Sequence, residues 1–388
     1  MKNFLQSFSI VFSVYFLLSL TGCAILSQER ETVYVRPSGD KHFNLNPVML
    51  TRKKFLERVQ NDWEYAVMSE NAYHGSEIFP VGEGQKTRLA RCAGLTDDQK
   101  MAILRREDPR IGLSQLEIKT GSMLLSEENW HEWKYMNDFM SDATWCKAVQ
   151  EGVAFKVYER KKDGATQIAV SFRGTVFSYW GNWKSNFRWF IQWPRDRQDG
   201  NLVVQHAIAN ELADALVKNY SEELRQKDTF KLSITGHSLG GAFAQQLSYA
   251  FPPVKYSIDQ YPGLKVDKVV VFNPSPVNGW YWVGKEVRER NAGGLPISRI
   301  YQHGEILAYM RLGLSYVYPP SNGDCQNNIC TSPLIEEVRY NALYRPESSA
   351  DTIGHEKNVL RRPIGTHGMR DLAAGLADAA GYPPSNLP

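Results

Sequence analysis

Hydrophobic and polar positions along this chain change period several times, and each change marks an element. In VAFKVYERKKDGATQIAVSF, starting at Val153, apolar and polar residues alternate in two runs joined through Asp163-Gly164. Period two is the mark of half-buried strands and Asp-Gly is a favoured tight-turn pair, so this stretch predicts a hairpin. Upstream, Phe55, Val59, Trp63, Ala66, Val67 and Tyr73 recur at three-, four- and seven-residue intervals, which predicts a helix closed by Gly75. Downstream the two periods take turns: helix for His206 to Asn219, strand for Phe230 to Thr235, helix for Leu239 to Ala250, strand for Lys268 to Asn273, and a short strand from Ile297 to Gln302. Met369, Leu372, Leu376 and Ala379 outline one more helix. Strands alternating with helices predict an α/β fold, a mainly parallel sheet with helices on both faces.

Composition adds little and excludes one class. With 388 residues, 43% of them hydrophobic, the chain is long enough to bury a sizeable core. A net charge of +3 and the lack of any long block of like charge argue against a nucleic-acid partner.

The first residues change the picture more. Lys2, an apolar run from Phe8 to Leu20 and small residues before Cys23 have the layout of an export signal, and the run is shorter than the roughly 20 residues of a membrane span. Leu20-Thr21-Gly22-Cys23 resembles the bacterial lipobox. That resemblance implies a signal peptide over residues 1–22 and an acylated Cys23 holding the protein in the bacterial cell envelope. Ala24 stands where aspartate would be the inner-membrane retention signal, which favours the outer membrane. Residues 23–47 show no periodicity and are expected to be a polar tether, leaving 48–388 as the folded domain with an insertion around 80–150. The remaining cysteines, Cys92, Cys146, Cys325 and Cys330, are even in number, as disulfides in an exported chain require. Cys325 and Cys330 flank a short polar loop, so the expected pairs are Cys325 with Cys330 and Cys92 with Cys146. Neither C-x-x-C spacing nor a histidine cluster accompanies them, and no metal is expected.

The chemistry centres on KLSITGHSLGGAFAQ, Lys231 to Gln245, where a strand pattern runs into Gly236-His237-Ser238-Leu239-Gly240 and then into a small-residue helix. This context is that of a nucleophile elbow, in which glycines permit a sharp strand-to-helix turn and the serine oxygen is exposed at the helix N-terminus. There the N–H of Leu239 would meet the oxyanion of a tetrahedral intermediate. With VSFRGT (Val170 to Thr175) and RIYQHGEIL (Arg299 to Leu307), this stretch resembles the fungal-type (class 3) triacylglycerol lipase family of α/β-hydrolases, over roughly Asp62 to Leu307. The resemblance implies an α/β-hydrolase fold, Ser238 as nucleophile, Thr175 as second oxyanion donor and Glu305 as the acid where the family usually has aspartate. Phe272 to Val277 lacks the family's usual Pro-Arg pair, and Leu307-Ala308 replaces a common Val-Pro.

In α/β-hydrolases the acid and then the histidine follow the serine in the chain, which leaves His367 and His355 as candidate bases. His367 precedes a helical pattern that would fix its place and is the preferred base. Asp267 is the rival acid, but it precedes its strand and is expected at the wrong end of the sheet. His237 is expected to pack or hydrogen-bond locally. After Thr175 comes VFSYWGNWKSNFRWFIQW, in which Trp180, Trp183 and Phe187 fall on one helical face. The resembled lipases carry a lid here, with Asn182-Trp183 matching; the alternative is that these aromatics pack on the sheet. Lys184, Arg188 and Arg195 would suit phosphate headgroups or be the solvated ends of a buried helix. The expected function is thus a cofactor-independent serine hydrolase cleaving carboxylic esters of lipids, as lipase or phospholipase, with lipid as substrate and the membrane as anchor. Acyl transfer and thioester hydrolysis would use the same site. The competing class is a non-catalytic lipase-like lipoprotein that binds a lipid or an envelope partner.

Overall fold

The computed structural model describes residues 33–36, 48–49, 52–73, 89–98, 100, 131–132, 140–151, 153–174, 200–257, 259–275, 278–302, 305, 325–326, 329–340 and 368–381. In chain order these form β1 (Val33–Arg36), β2 (Val48–Met49), α1 (Arg52–Asn71), β3 (His131–Glu132), α2 (Asp142–Glu151), β4 (Phe155–Lys162), β5 (Ala165–Phe172), α3 (Gly200–Arg225), β6 (Phe230–His237) and α4 (Leu239–Ala250). There follow β7 (Val266–Phe272), α5 (Lys285–Ala292), β8 (Pro296–Gln302), β9 (Cys325–Gln326), β10 (Ile329–Cys330), β11 (Leu334–Tyr340) and α6 (Met369–Ala379).

Among the described residues one sheet has nine strands in the order β2-β1-β11-β8-β7-β6-β5-β4-β3. Its centre, β5-β6-β7-β8-β11, is parallel throughout, and the strands at both flanks are antiparallel. The hairpin β4–β5 turns through Asp163 and Gly164 at φ 54° and 75°, the left-handed pair that a tight two-residue loop needs to match the strand twist. Helix α3 is longer than its apolar pattern, and the expected end at Asn219 coincides with non-helical backbone at Tyr220.

Alternation along the strands divides the core in two. Ile168, Val170 and Phe172 of β5, Leu232 and Ile234 of β6, and Val269 and Val271 of β7 pack with residues of α2, α3 and α4. Ala169 of β5, Val270 and Phe272 of β7, Ile300 of β8, and Val338 and Tyr340 of β11 pack with α1 and α6 instead. Helices therefore cover both faces, and the architecture is that of an α/β-hydrolase.

One expectation is corrected. Residues 33–36 were expected within a tether, but they add β1 to the edge of β11, with Val33 opposite Tyr340. The described residues of the 80–150 stretch pack into the main core, where Leu89, Cys92, Leu95, Met140, Trp145 and Val149 join the same cluster as β4, β5 and α3. Strand β11 itself is absent from the apolar pattern because Glu336 occupies the α1-facing side. Its carboxylate pairs there with Arg58 of α1, whose guanidinium also donates to Asp62 Oδ2 at 2.8 Å and Ser298 Oγ at 2.9 Å. Tyr340 donates to the same Asp62 oxygen at 3.1 Å, so the buried charges are paired and hydrogen-bonded.

Cys92 and Cys146 form a disulfide with Cα atoms 5.5 Å apart, as expected. Cys330 is also disulfide-bonded, and the β9–β10 register sets Cys325 opposite it. The Cys92–Cys146 link spans 54 residues. Loops of such length lose entropy in the unfolded chain when closed, so replacing both cysteines by alanine is expected to cost about 2–4 kcal/mol. Urea unfolding reads this as a lower midpoint, and an unchanged midpoint would contradict a stabilising role for the link.

Candidate active site

Strand β6 delivers Ser238 to the carboxyl edge of the parallel sheet, the edge at which loops rise and ligands bind in such sheets. Ser238 stands between β6 and α4 at φ 57° and ψ −123°, a conformation that a residue with a side chain adopts only when its surroundings enforce it. Its N–H donates to the Phe272 carbonyl at 3.0 Å, and its own carbonyl accepts from Gly241 at 3.1 Å and Ser275 at 3.0 Å. The Ser238 side chain makes no capping bond to α4. The N–H of Leu239, opening α4, has no acceptor within the helix.

Close backbone approach explains the glycines. A Cβ on Gly236 would lie 2.5 Å from the Gly240 carbonyl oxygen, and one on Gly240 would lie 2.6 Å from the carbonyl carbon of Arg173. A Cβ on Gly174 would come within 2.9 Å of the Ser238 Cβ and closer still to the His237 carbonyl and the Tyr73 hydroxyl. The turn after β5 therefore abuts the elbow directly. Thr175, the candidate second oxyanion donor, is the next residue and lies outside the described residues.

The side of β6 that faces α1 is polar, and α1 answers it residue for residue. Tyr65 donates to Ser233 Oγ at 3.2 Å, Ser69 shares a hydrogen bond with Thr235 at 2.9 Å, and Tyr73 bonds His237 Nδ1 at 2.6 Å. Helix positions four apart advance about 6 Å and strand positions two apart about 6.7 Å, so the two series stay in step. Burial, then the nearby Glu70, raises the Tyr73 hydroxyl well above its usual pKa, which keeps it protonated. It accepts from the Gly174 N–H. The same hydroxyl shares its bond with His237 Nδ1, and the tautomer of the ring sets which of the two donates. His237 thus bonds locally, and Tyr73 ties α1 to both the turn after β5 and the elbow.

Glu305 follows β8, two strands from β6, and is fully buried rather than an exposed loop carboxylate. Asp267 is the second residue of β7, at the opposite edge of the sheet, where it accepts the Leu232 N–H at 2.7 Å. Its carboxyl is raised above the usual range by burial, and it serves the β6–β7 junction, not the elbow. His367, His355, Trp180, Trp183, Phe187 and Cys23 lie outside the described residues. Helix α6 starts two residues after His367, and its C-terminal end is tied to α1 by Gln60 donating to the Ala380 carbonyl at 2.8 Å. Sequence reasoning missed Tyr73 as more than a helix-face residue. The signal was its i+4 and i+8 spacing from Ser69 and Tyr65, opposite a strand with serine, threonine and histidine at alternate positions.

A parallel sheet that presents a strained serine between strand and helix, with a glycine-bearing turn against it, is the arrangement of the α/β-hydrolase fold. Residues 169–253, from β5 through the elbow and α4, match the family model for lipase (class 3). The match supports lipase-type hydrolysis of carboxylic esters; Glu305 and His367 lie beyond it. No curated protein matches the chain.

Tyr73→Phe keeps the ring but leaves His237 Nδ1 and the Gly174 N–H without the hydroxyl between them, which is expected to cost about 1–3 kcal/mol. Tyr65→Phe, losing the 3.2 Å bond to Ser233, is expected to cost less, about 0.5–1.5 kcal/mol. Chemical denaturation of the two variants checks the order, and equal losses would show no special role for the bond at the elbow.

Proposed function

We propose that this protein is a lipid-anchored envelope enzyme that hydrolyses carboxylic esters of lipids through a Ser238-His367-Glu305 triad. The observation that carries the reading is the elbow, with a serine held at φ 57° against a glycine turn and a helix N-terminus. In this mechanism His367 takes the proton from Ser238 Oγ as the oxygen attacks the acyl carbonyl. The N–H groups of Leu239 and Thr175 stabilise the oxyanion, and Glu305 steadies the imidazolium. The tetrahedral intermediate expels the alcohol, which takes the proton back from His367. Water then attacks the acyl-enzyme by the same route and releases the fatty acid. Burial of Glu305 supports a carboxylate that acts within the protein and not on solvent.

Substrate class rests on the segment after Gly174. Aromatic residues Trp180, Trp183 and Phe187, interleaved with Lys184 and Arg188, suit an apolar surface that carries phosphates, which favours a phospholipid over a neutral glyceride. A diacylated Cys23 would hold the site at that surface, since two acyl chains anchor stably where a single one binds only reversibly. Activity is therefore expected to rise when substrate passes from monomers to micelles or bilayers.

The test is turnover of a short soluble ester and of phospholipid and triglyceride dispersions. Ser238→Ala and His367→Ala are each expected to lower kcat by about 10⁴-fold or more with the fold intact, His355→Ala to cost little, and Glu305→Gln to fall between. Unchanged turnover in Ser238→Ala would remove the nucleophile assignment, no turnover of any ester by the wild type would favour a lipid-binding lipoprotein, and damage from His355→Ala alone would transfer the base. Replacing Trp183 and Phe187 by serine is expected to reduce hydrolysis of dispersed lipid more than of the soluble ester; equal loss would make them core residues. Intact-mass analysis finding the mature N-terminus unmodified would remove the anchor.

A further inference from the structure

We propose that Asn273 is a positioning residue that ties the acid-bearing turn after β8 to the backbone of the elbow. The proposal rests on the triad reading above and assigns a role to a residue that neither touches substrate nor belongs to the triad. At the end of β7 the chain turns into the left-handed region at Asn273, φ 42°, which asparagine tolerates better than most residues. That turn carries the main-chain carbonyl away from β8, whose next N–H, of Gln302, needs an acceptor. The Asn273 side-chain carbonyl takes its place, accepting from Gln302 N at 3.0 Å, while the Asn273 N–H donates to the Ile300 carbonyl at 2.7 Å. Asn273 therefore carries the β7–β8 ladder one step past the point where the β7 main chain leaves it.

Both sides of this junction lead to candidate catalytic groups. On one side, Phe272 accepts the Ser238 N–H and Ser275 donates to the Ser238 carbonyl, each at 3.0 Å, so residues 272–275 straddle the nucleophile's backbone. On the other, the Gln302 carbonyl accepts the Glu305 N–H at 3.4 Å. Asn273 has no exposed surface, so no water can replace its acceptor without a cavity. Glu305 has one more methylene than aspartate, and a longer side chain needs its turn fixed more firmly to reach a set point. Asn273 supplies that fixing from the strand next to the elbow, and so relates the acid to the serine through covalent chain and two hydrogen-bonded strands.

The consequence is electrostatic as well as geometric. A carboxylate held against the histidine favours the imidazolium and raises the histidine pKa; a carboxylate that wanders does so less. Loosening the turn is therefore expected to move the acidic limb of kcat/KM to lower pH while lowering kcat.

Asn273→Gly retains the left-handed backbone and removes only the side-chain acceptor. On a short soluble ester it is expected to lower kcat by about 10- to 100-fold with little change in KM, and to shift the acidic limb downward in the same sense as Glu305→Gln. Asn273→Asp, which keeps an acceptor oxygen, is expected to restore most of the lost rate. A wild-type limb and kcat in Asn273→Gly, or a loss confined to KM or thermal stability, would overturn the proposal while Glu305→Gln remained damaging. If Glu305→Gln itself neither lowered kcat nor moved the limb, the acid assignment would fail first, and the role of Asn273 with it.

Discussion

The conformation of one residue organises the site. A serine at φ 57° and ψ −123° is unfavourable on its own and persists only where neighbours over-determine it. Here three backbone hydrogen bonds fix its amide and carbonyl, and the glycines at 174, 236 and 240 admit main chain where a methyl group would collide. Strand β5, strand β6, the start of α4 and the end of β7 meet at this point as backbone. At positions 174, 236 and 240 side chains are excluded, which lets main chain close in around Ser238.

The surroundings follow from that requirement. A strand that must end in a buried turn cannot present a wholly apolar face toward α1, because His237 sits within the turn and needs a partner. The α1-facing series Ser233, Thr235 and His237 is satisfied by Tyr65, Ser69 and Tyr73, and each bond fixes the helix more closely to the strand. At the other end of α1, Arg58, Asp62, Glu336 and Tyr340 form a second polar cluster that holds the helix to β11. Apolar packing by Val59, Trp63 and Val67 supplies the area between, but the polar bonds set the register.

Much of this was legible in the sequence, and the exceptions have physical causes. The hairpin β4–β5, the β6–elbow–α4 unit and helix α6 follow from local period and glycine placement, which depend on neighbours in the chain. Strand β11 escaped because its α1-facing side carries Glu336, whose partner Arg58 is 278 residues away. Strand β1 escaped because four residues are too few to show a period and its strand character depends on β11. The burial of Glu305 and the role of Asn273 were invisible for the same reason. Both depend on which strands are neighbours, and neither residue type announces it. For Asp267 the expected wrong end of the sheet was right in effect, although the residue lies within β7 and not before it.

The central claim is that the elbow serine is a nucleophile poised by the fold. It is tested most directly by treating the folded protein with a fluorophosphonate and mapping the adduct by peptide mass spectrometry. The account predicts a single phosphonylated residue, Ser238, with labelling abolished when the protein is unfolded first, because only the native turn and its oxyanion donors activate that oxygen. No adduct on the folded protein, or equal labelling of other serines, would contradict it.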